Sequence, residues 1–216
     1  MSKLLCPSMM CADFSNLLGE VEALEKAGAD ILHIDIMDGS FVPNFGMGLQ
    51  DMQFIAKTAK CLIDVHLMIQ RPGDYVEKFV GMGADIVYIH PEADVHAPRT
   101  LQKIADAGAK TGLAINPGTS FESVEPLLSL VDYLLVMTVN PGFAGQKYLK
   151  FVENKIDRLL ERRGDYGYKM LIDGACSPEK IAMLSRRGVE GFVLGTSALF
   201  GKGRPYAEIM QELRKL

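Results

Sequence analysis

Two histidines and two aspartates stand where they could share one chemical task. The run His33-Ile34-Asp35-Ile36-Met37 alternates, so an extended strand would set His33, Asp35 and Met37 on one face and Ile34 and Ile36 on the other. His66-Leu67-Met68 repeats that alternation further along the chain, and Asp173 closes a third apolar run, Met170-Leu171-Ile172. Imidazole nitrogens with carboxylate oxygens form a donor set suited to Zn2+ or a similar divalent ion. The competing reading is structural, because a histidine at a strand end commonly serves only as a satisfied hydrogen-bonding group. His33 and Asp35 on one strand with His66 on another leave both readings open. His90 and His96 keep the structural reading. Met37, Met68 and Met137 read first as core filler.

A second set of residues could hold an anion. Asn140-Pro141-Gly142-Phe143-Ala144-Gly145-Gln146 is a glycine-rich stretch, and Gly174 and Gly195-Thr196-Ser197 follow two later apolar runs. Each piece alone could be a turn. Three such loops side by side would present bare backbone N–H groups to a phosphate.

These residues need a frame that brings them together. Ala27-Gly28-Ala29-Asp30 precedes an apolar run, and so do Met82-Gly83-Ala84-Asp85, Ala107-Gly108-Ala109-Lys110 and Arg187-Gly188-Val189-Glu190. Each reads as a helix ended by a glycine, then a short loop and a buried strand. The spacing of these glycines is close to one, two or three units of about 27 residues, which marks a repeated unit. Eight strands are predicted, over 4–8, 31–37, 62–68, 85–90, 111–116, 133–139, 169–173 and 191–195. They are continuously apolar until their C-terminal ends, as strands buried on both faces should be. Asn16 to Leu24 is amphipathic, and Pro178 suits a first helical position after a Ser177 cap. The expectation is one α/β domain over 1–216, a (β/α)8 TIM barrel, with a doubly wound open sheet as the alternative.

In a barrel the C-terminal strand ends converge on the face where chemistry is done. Ser8, His33, Asp35, His66, His90, Asn116, Asn140, Asp173 and Thr196 fall there, with Asp173 expected diametrically across from His33 and Asp35. Lys3, Lys110 and Lys169 sit at the opposite ends. No strand ends in lysine, so a Schiff-base aldolase has no obvious nucleophile.

Composition narrows the class further. The chain has 216 residues, 48% hydrophobic and 23% charged, and a net charge of −4. No basic field points to nucleic acid, and no apolar stretch approaches a membrane span. The run Met1 to Pro7 is too short for a signal peptide. A cytoplasmic protein is expected. Cys6, Cys11, Cys61 and Cys176 lack metal-binding spacing and read as small hydrophobes.

Taken in order, Ser8, the run from His33 to Asn44, His66-Leu67-Met68, Asn140 to Gln146 and Asp173-Gly174 resemble the ribulose-phosphate 3-epimerases. The run His-x-Asp-x-Met-Asp-Gly-x-Phe-Val-Pro-Asn is highly specific. The resemblance implies a ribulose-phosphate-binding barrel that inverts C3 of a phosphorylated ketose, working as a homo-oligomer, dimer or hexamer. It implies one divalent metal on His33, Asp35, His66 and Asp173. Zn2+ is the first choice, with Mn2+, Fe2+, Co2+ or Mg2+ as alternatives. Asp35 and Asp173 would be the catalytic acid–base pair. Ser8, Met37, Met68 and Met137 would meet the sugar. Gly142, Phe143, Ala144, Gly145, Gly174, Ala175, Gly195 and Thr196 would meet the phosphate.

Two departures point to a branch. Asp173-Gly174-Ala175-Cys176 and Gly195 to Phe200, with Met137-Thr138-Val139, look more like D-allulose-6-phosphate 3-epimerase. The main expectation is therefore D-allulose 6-phosphate to D-fructose 6-phosphate, and the alternative is D-ribulose 5-phosphate to D-xylulose 5-phosphate. Related decarboxylases carry Asp-x-Lys-x-x-Asp, whereas Met37 stands at the lysine position here. A non-catalytic binder of sugar phosphate or metal is the reading from another class.

Overall fold

The computed structural model describes residues 3–216. Met1 and Ser2, part of the N-terminal run weighed above, lie outside the described residues. Eight parallel strands form one sheet: β1 (Leu4–Pro7), β2 (Ile31–Met37), β3 (Leu62–Met68), β4 (Ile86–Ile89), β5 (Lys110–Ile115), β6 (Tyr133–Met137), β7 (Lys169–Asp173) and β8 (Gly191–Leu194). The intervening helices are α1 (Leu17–Lys26), α2 (Leu49–Thr58), α3 (Val76–Gly81), α4 (Ala97–Asp106), α5 (Phe121–Val124), α6 (Glu153–Tyr166), α7 (Pro178–Arg187) and α8 (Tyr206–Lys215). This is a (β/α)8 barrel, with β2, β3 and β7 bounded as the apolar runs predict.

Local chemistry sets the helix ends. Gly28, Gly83, Gly108 and Gly188 follow α1, α3, α4 and α7 with φ of 87°, 107°, 95° and 108°, so the repeated glycines do stop helices. Ser177 caps α7 through its hydroxyl, with Pro178 in the first turn. The fifth helix is the exception. After one α turn, Glu125–Leu130 continues as 3-10 helix, starting where Pro126 removes a backbone donor.

A carboxylate latch recurs at the bottom of the barrel. Leu5 N donates to Asp30 Oδ2 at 2.8 Å, and Ile63 N to Asp85 Oδ2 at 2.8 Å. Thr111 N donates to Asp132 Oδ2 at 3.0 Å, and Met170 N to Glu190 Oε2 at 3.1 Å. In each case the acid just before an even-numbered strand grips an odd-numbered one.

Cys6, Ile31, Ile86, Tyr88, Tyr133, Leu135 and Leu171 pack inside the barrel, and a larger apolar shell fills the space between strands and helices. The tube is not laddered all the way round. β1 and β2 are the two ends of the strand order, joined by the single bridge Ser8–His33 at the top. At the bottom Asp30 N donates to Leu5 O at 3.1 Å. Among the described residues, no helix is long and apolar enough to cross a membrane.

Candidate active site

Strand register assembles the site. On β2 and β3 the paired positions are His33 with Asp64, Asp35 with His66, and Met37 with Met68. Because side chains alternate, these six all project into the barrel. His33 Nδ1 lies 2.6 Å from Asp64 Oδ1, and His66 Nδ1 lies 3.2 Å from Asp35 Oδ1. Ser8, at the end of β1, donates its hydroxyl to Asp35 Oδ2 at 2.7 Å.

Asp173 arrives from β7, three strands from β2 by way of β8 and β1, so it is not diametrically opposite as the strand count suggested. Its Oδ2 comes within 3.7 Å of His66 Nδ1 and 4.0 Å of His33 Nε2. Thr138 fixes that strand end, donating through its backbone N–H to Asp173 O at 2.7 Å. Gly174 then turns the chain with φ of 110°, where a Cβ would stand 2.6 Å from Val139 Cγ2 and 2.9 Å from Val139 N. Only glycine fits that turn.

One donor atom from each of His33, Asp35, His66 and Asp173 lies within 4.8 Å of the others, a group that could hold a metal ion. His33 Nε2 faces this centre, buried and without a hydrogen-bond partner, although Asp35 Oδ1 is 3.2 Å away. An orphaned ring nitrogen whose opposite nitrogen is engaged by a carboxylate is the arrangement of a metal-ligating histidine. The residues fit a divalent ion.

The surroundings separate the two acids electrostatically. Burial would raise the Asp35 carboxyl, but the adjoining His33 and His66 rings outweigh it and hold it well below the usual carboxylate range. At Asp173 burial leads, and the charges of Asp35 and Asp64 add to it against both histidines, raising the carboxyl to about 6. Burial also opposes a charge on His33. The carboxylates of Asp64 and Asp35 prevail and raise that imidazole well above its ordinary value.

A cleft opens above the cluster. Asp35, Asp173, Ser8, Met37, Met68 and Met137 line it, as do Gly142, Phe143, Ala144, Gly145, Gly174, Ala175, Gly195 and Thr196. His33 and His66 lie fully buried at the cluster itself. Every residue singled out for chemistry is thus brought to one place. The three methionines are buried, and Met37 and Met68 pack with Val42 over the floor. Asn44 ties the segment after β2 to the β6 loop, donating to Gly142 O at 2.7 Å. Among the described residues no lysine or arginine lines the cleft.

Two features were missed in the sequence. Asp64 breaks the apolar run of β3 at a wholly buried position, which an alternation count over Leu62 to Met68 exposes. His90 is not an isolated strand-end residue, since its Nε2 lies 2.8 Å from His66 Nε2.

Comparison with known proteins agrees with this geometry. The Ribulose-phosphate 3 epimerase family matches residues 4–200. Ribulose-phosphate 3-epimerase of Aquifex aeolicus is 42% identical over 99% of this chain and 95% of its own length. The Bacillus subtilis protein of the same name is 38% identical, covering 92% of each chain. Among solved structures, the tryptophan synthase alpha-subunit of Pyrococcus furiosus matches with a TM-score of 0.69 at 16% identity, over 99% of this chain and 98% of its own. Phosphoribosyl anthranilate isomerase of Thermus thermophilus matches at 0.64 with 14% identity, over 98% and 96%. Those likenesses concern the barrel alone. Near-complete coverage by the family and its named relatives, on a chain whose cluster and cleft already have this form, decides membership: the chain belongs to the ribulose-phosphate 3-epimerase family.

Proposed function

We propose that the site interconverts D-ribulose 5-phosphate and D-xylulose 5-phosphate by inverting C3, with Asp35 and Asp173 moving the proton. The observation that carries this reading is the convergence of the buried Asp35 carboxyl from β2 and the partly buried Asp173 carboxyl from β7, with opposite electrostatic biases, beneath a cleft rimmed by glycine loops. Pushing two acids apart in this way lets one accept a proton while the other donates.

The hydrogen on C3 is acidified by the neighbouring C2 ketone. A carboxylate on one face takes it, the electron pair spreads onto the C2 oxygen as an enediolate, and the second carboxyl returns a proton to the opposite face. The two acids then exchange states, and the reverse reaction uses them in the other order. His33, Asp35, His66 and Asp173 would hold the divalent ion, Zn2+ before the alternatives, and it would supply Lewis-acid stabilisation of negative charge on the substrate oxygens. Ser8 steadies Asp35 through its 2.7 Å hydrogen bond. Met37, Met68 and Met137 cover the reacting centre with polarizable, water-excluding surface. The phosphate would rest on the loops of Gly142 to Gly145, Gly174-Ala175 and Gly195-Thr196, where backbone N–H groups rather than cationic side chains meet it.

The substrate is the finer part of the proposal. The names of the relatives support the pentulose phosphate over the hexulose phosphate favoured by the loop motifs, since the proteins of Aquifex aeolicus, Rhodobacter capsulatus and Bacillus subtilis are all called ribulose-phosphate 3-epimerase. What still supports the hexulose reading is Ala175 after Gly174. Measuring kcat/KM for D-ribulose 5-phosphate and D-allulose 6-phosphate side by side tests the choice. The pentulose phosphate is expected to be preferred, and a preference for the hexulose phosphate would reverse the assignment.

A further inference from the structure

His90 and Glu92 take no part in the chemistry above, yet they continue the site outward in an unbroken line. His90 follows β4 and is wholly buried, with its Nε2 2.8 Å from His66 Nε2. Its Nδ1 lies 3.3 Å from Glu92 Oε2, an ion-pair contact rather than an aligned hydrogen bond. The other oxygen of Glu92 accepts from Asn116 N at 3.0 Å and from the Thr119 hydroxyl. Lys155 secures that loop, donating to the carbonyls of Asn116, Pro117 and Thr119 at 2.6, 3.0 and 2.8 Å. Phe41 closes over His90, ring to ring at 4.9 Å.

Proton placement along this line has two solutions. Two ring nitrogens 2.8 Å apart hold one hydrogen between them, belonging either to His66 or to His90. If neutral His90 carried it on Nε2, its bare Nδ1 lone pair would face the Glu92 carboxylate, which is repulsive. With the hydrogen on His90 Nδ1, the contact to Glu92 becomes attractive and His90 Nε2 becomes an acceptor. His66 must then carry its own hydrogen on Nε2, which leaves the Nδ1 lone pair directed at Asp35 and Asp173, an arrangement that a cation bound among these groups would make favourable. Asp64 does the same for His33 through the other pair of ring nitrogens, since it holds Nδ1 and frees Nε2. The two histidines therefore present different atoms to the centre, each backed by a carboxylate, one directly and one through a second imidazole.

We propose that His90 and Glu92 are a positioning pair that holds His66 protonated on Nε2, with its Nδ1 lone pair aimed at the four-donor cluster. The proposal rests on the metal-site reading above. It assigns work to two residues that touch neither the substrate nor the ion. Groups in this position commonly control metal affinity by 10- to 100-fold.

The test uses the full-length chain and Co2+ as the probe, read by its visible absorption and by competition with a chelating dye. His90→Leu keeps bulk but removes the acceptor, and is expected to weaken Co2+ binding by about 10- to 100-fold. His90→Gln retains one acceptor and one donor and is expected to restore most of the affinity. Ring-nitrogen NMR of the Zn2+-loaded wild-type protein, with isotope-labelled histidine, is expected to show His90 as the Nδ1–H tautomer. That signature does not depend on any variant folding, and a merely space-filling His90 would not require it. Unchanged Co2+ affinity in a folded His90→Leu, or a His90 proton found on Nε2, would overturn the proposal. A wild-type chain that takes up no Co2+ would instead remove the metal-site reading itself.

Discussion

Replacing Asp64 by Asn is the sharpest probe of the centre, because it changes one charge and almost no volume. Asp64 is fully buried and its Oδ1 lies 2.6 Å from His33 Nδ1, so the pair forms a short charge-assisted contact. An amide oxygen can still accept from that ring nitrogen, but as a neutral partner. Hydrogen bonds to charged groups contribute about 1.5–3 kcal/mol, against about 1 kcal/mol for neutral pairs. The preference keeping the proton on Nδ1 and the lone pair on Nε2 should therefore fall by roughly 0.5–2 kcal/mol. At 1.36 kcal/mol per decade, that is about a 2- to 30-fold loss of metal affinity, its upper part overlapping the 10- to 100-fold seen when groups behind metal ligands are replaced. If the amide instead rotates its NH2 towards the ring, the lone pair is drawn away from the centre and the loss is larger. The assay is competition between the variant and a chelator of known affinity for Zn2+, with thermal unfolding of the metal-free chain as a check on the fold. Unaltered affinity in a folded Asp64→Asn would show that Asp64 does not set the orientation of His33, and the reasoning from register would fail.

Four further outcomes follow from the same geometry. Asp35→Asn and Asp173→Asn should each abolish epimerisation while leaving exchange of the C3 hydrogen with solvent deuterium for one epimer only, checked by NMR alongside metal content; full turnover in either variant contradicts the two-acid scheme. Metal uptake must displace the protons held by His33, whose imidazole is raised well above its ordinary value of 6.5, and by Asp173, whose carboxyl is raised to about 6, so affinity should already fall with falling pH above neutrality through His33 and fall more steeply below about 6, by about tenfold per unit for each proton. A pH-independent affinity would exclude proton competition. Stability of the metal-free chain responds to Asp173 with the opposite sign: its proton is held more tightly folded than unfolded, so it favours the fold below its ordinary value of 3.8 and ceases to as the pH passes about 6. Ala175 sits at φ 50°, where a side chain is strained, so Ala175→Gly should stabilise the fold by about 1 kcal/mol, or about 2–4 °C in Tm. A lower melting temperature would show that the Ala175 methyl contributes more by packing than its backbone costs.

Much of this was legible in the residues, and the gaps have physical reasons. Alternation in His33-Ile34-Asp35 and His66-Leu67-Met68 identifies the inward face without any knowledge of the partner strand. Glycines that end helices recur at a spacing that reveals the barrel. What alternation cannot supply is register, and register alone sets Asp64 beside His33. The acids at 30, 85 and 190 stood in the same punctuation as the glycines, yet their task of gripping a neighbouring strand needs the strand order. His90 looked ordinary because its partner is another histidine 24 residues away. The expected opposition of Asp173 failed because β7 and β2 are three strands apart round the barrel.

The seam between β1 and β2 bears on how the mouth of the barrel responds to what enters it. Elsewhere neighbouring strands are stitched by backbone ladders, and stretching the tube there would break several hydrogen bonds together. Along the seam the restoring force comes from the Ser8–His33 bridge above and the Asp30 latch below. Any change in girth is therefore concentrated on one line, and its upper end is the serine that holds Asp35. Breathing of the cylinder at this seam would therefore alter the aim of the carboxyl proposed to move the proton. A substitution that stiffens or slackens the seam far below the cleft would be felt at Asp35 by way of Ser8, before the glycine loops that rim the cleft had changed.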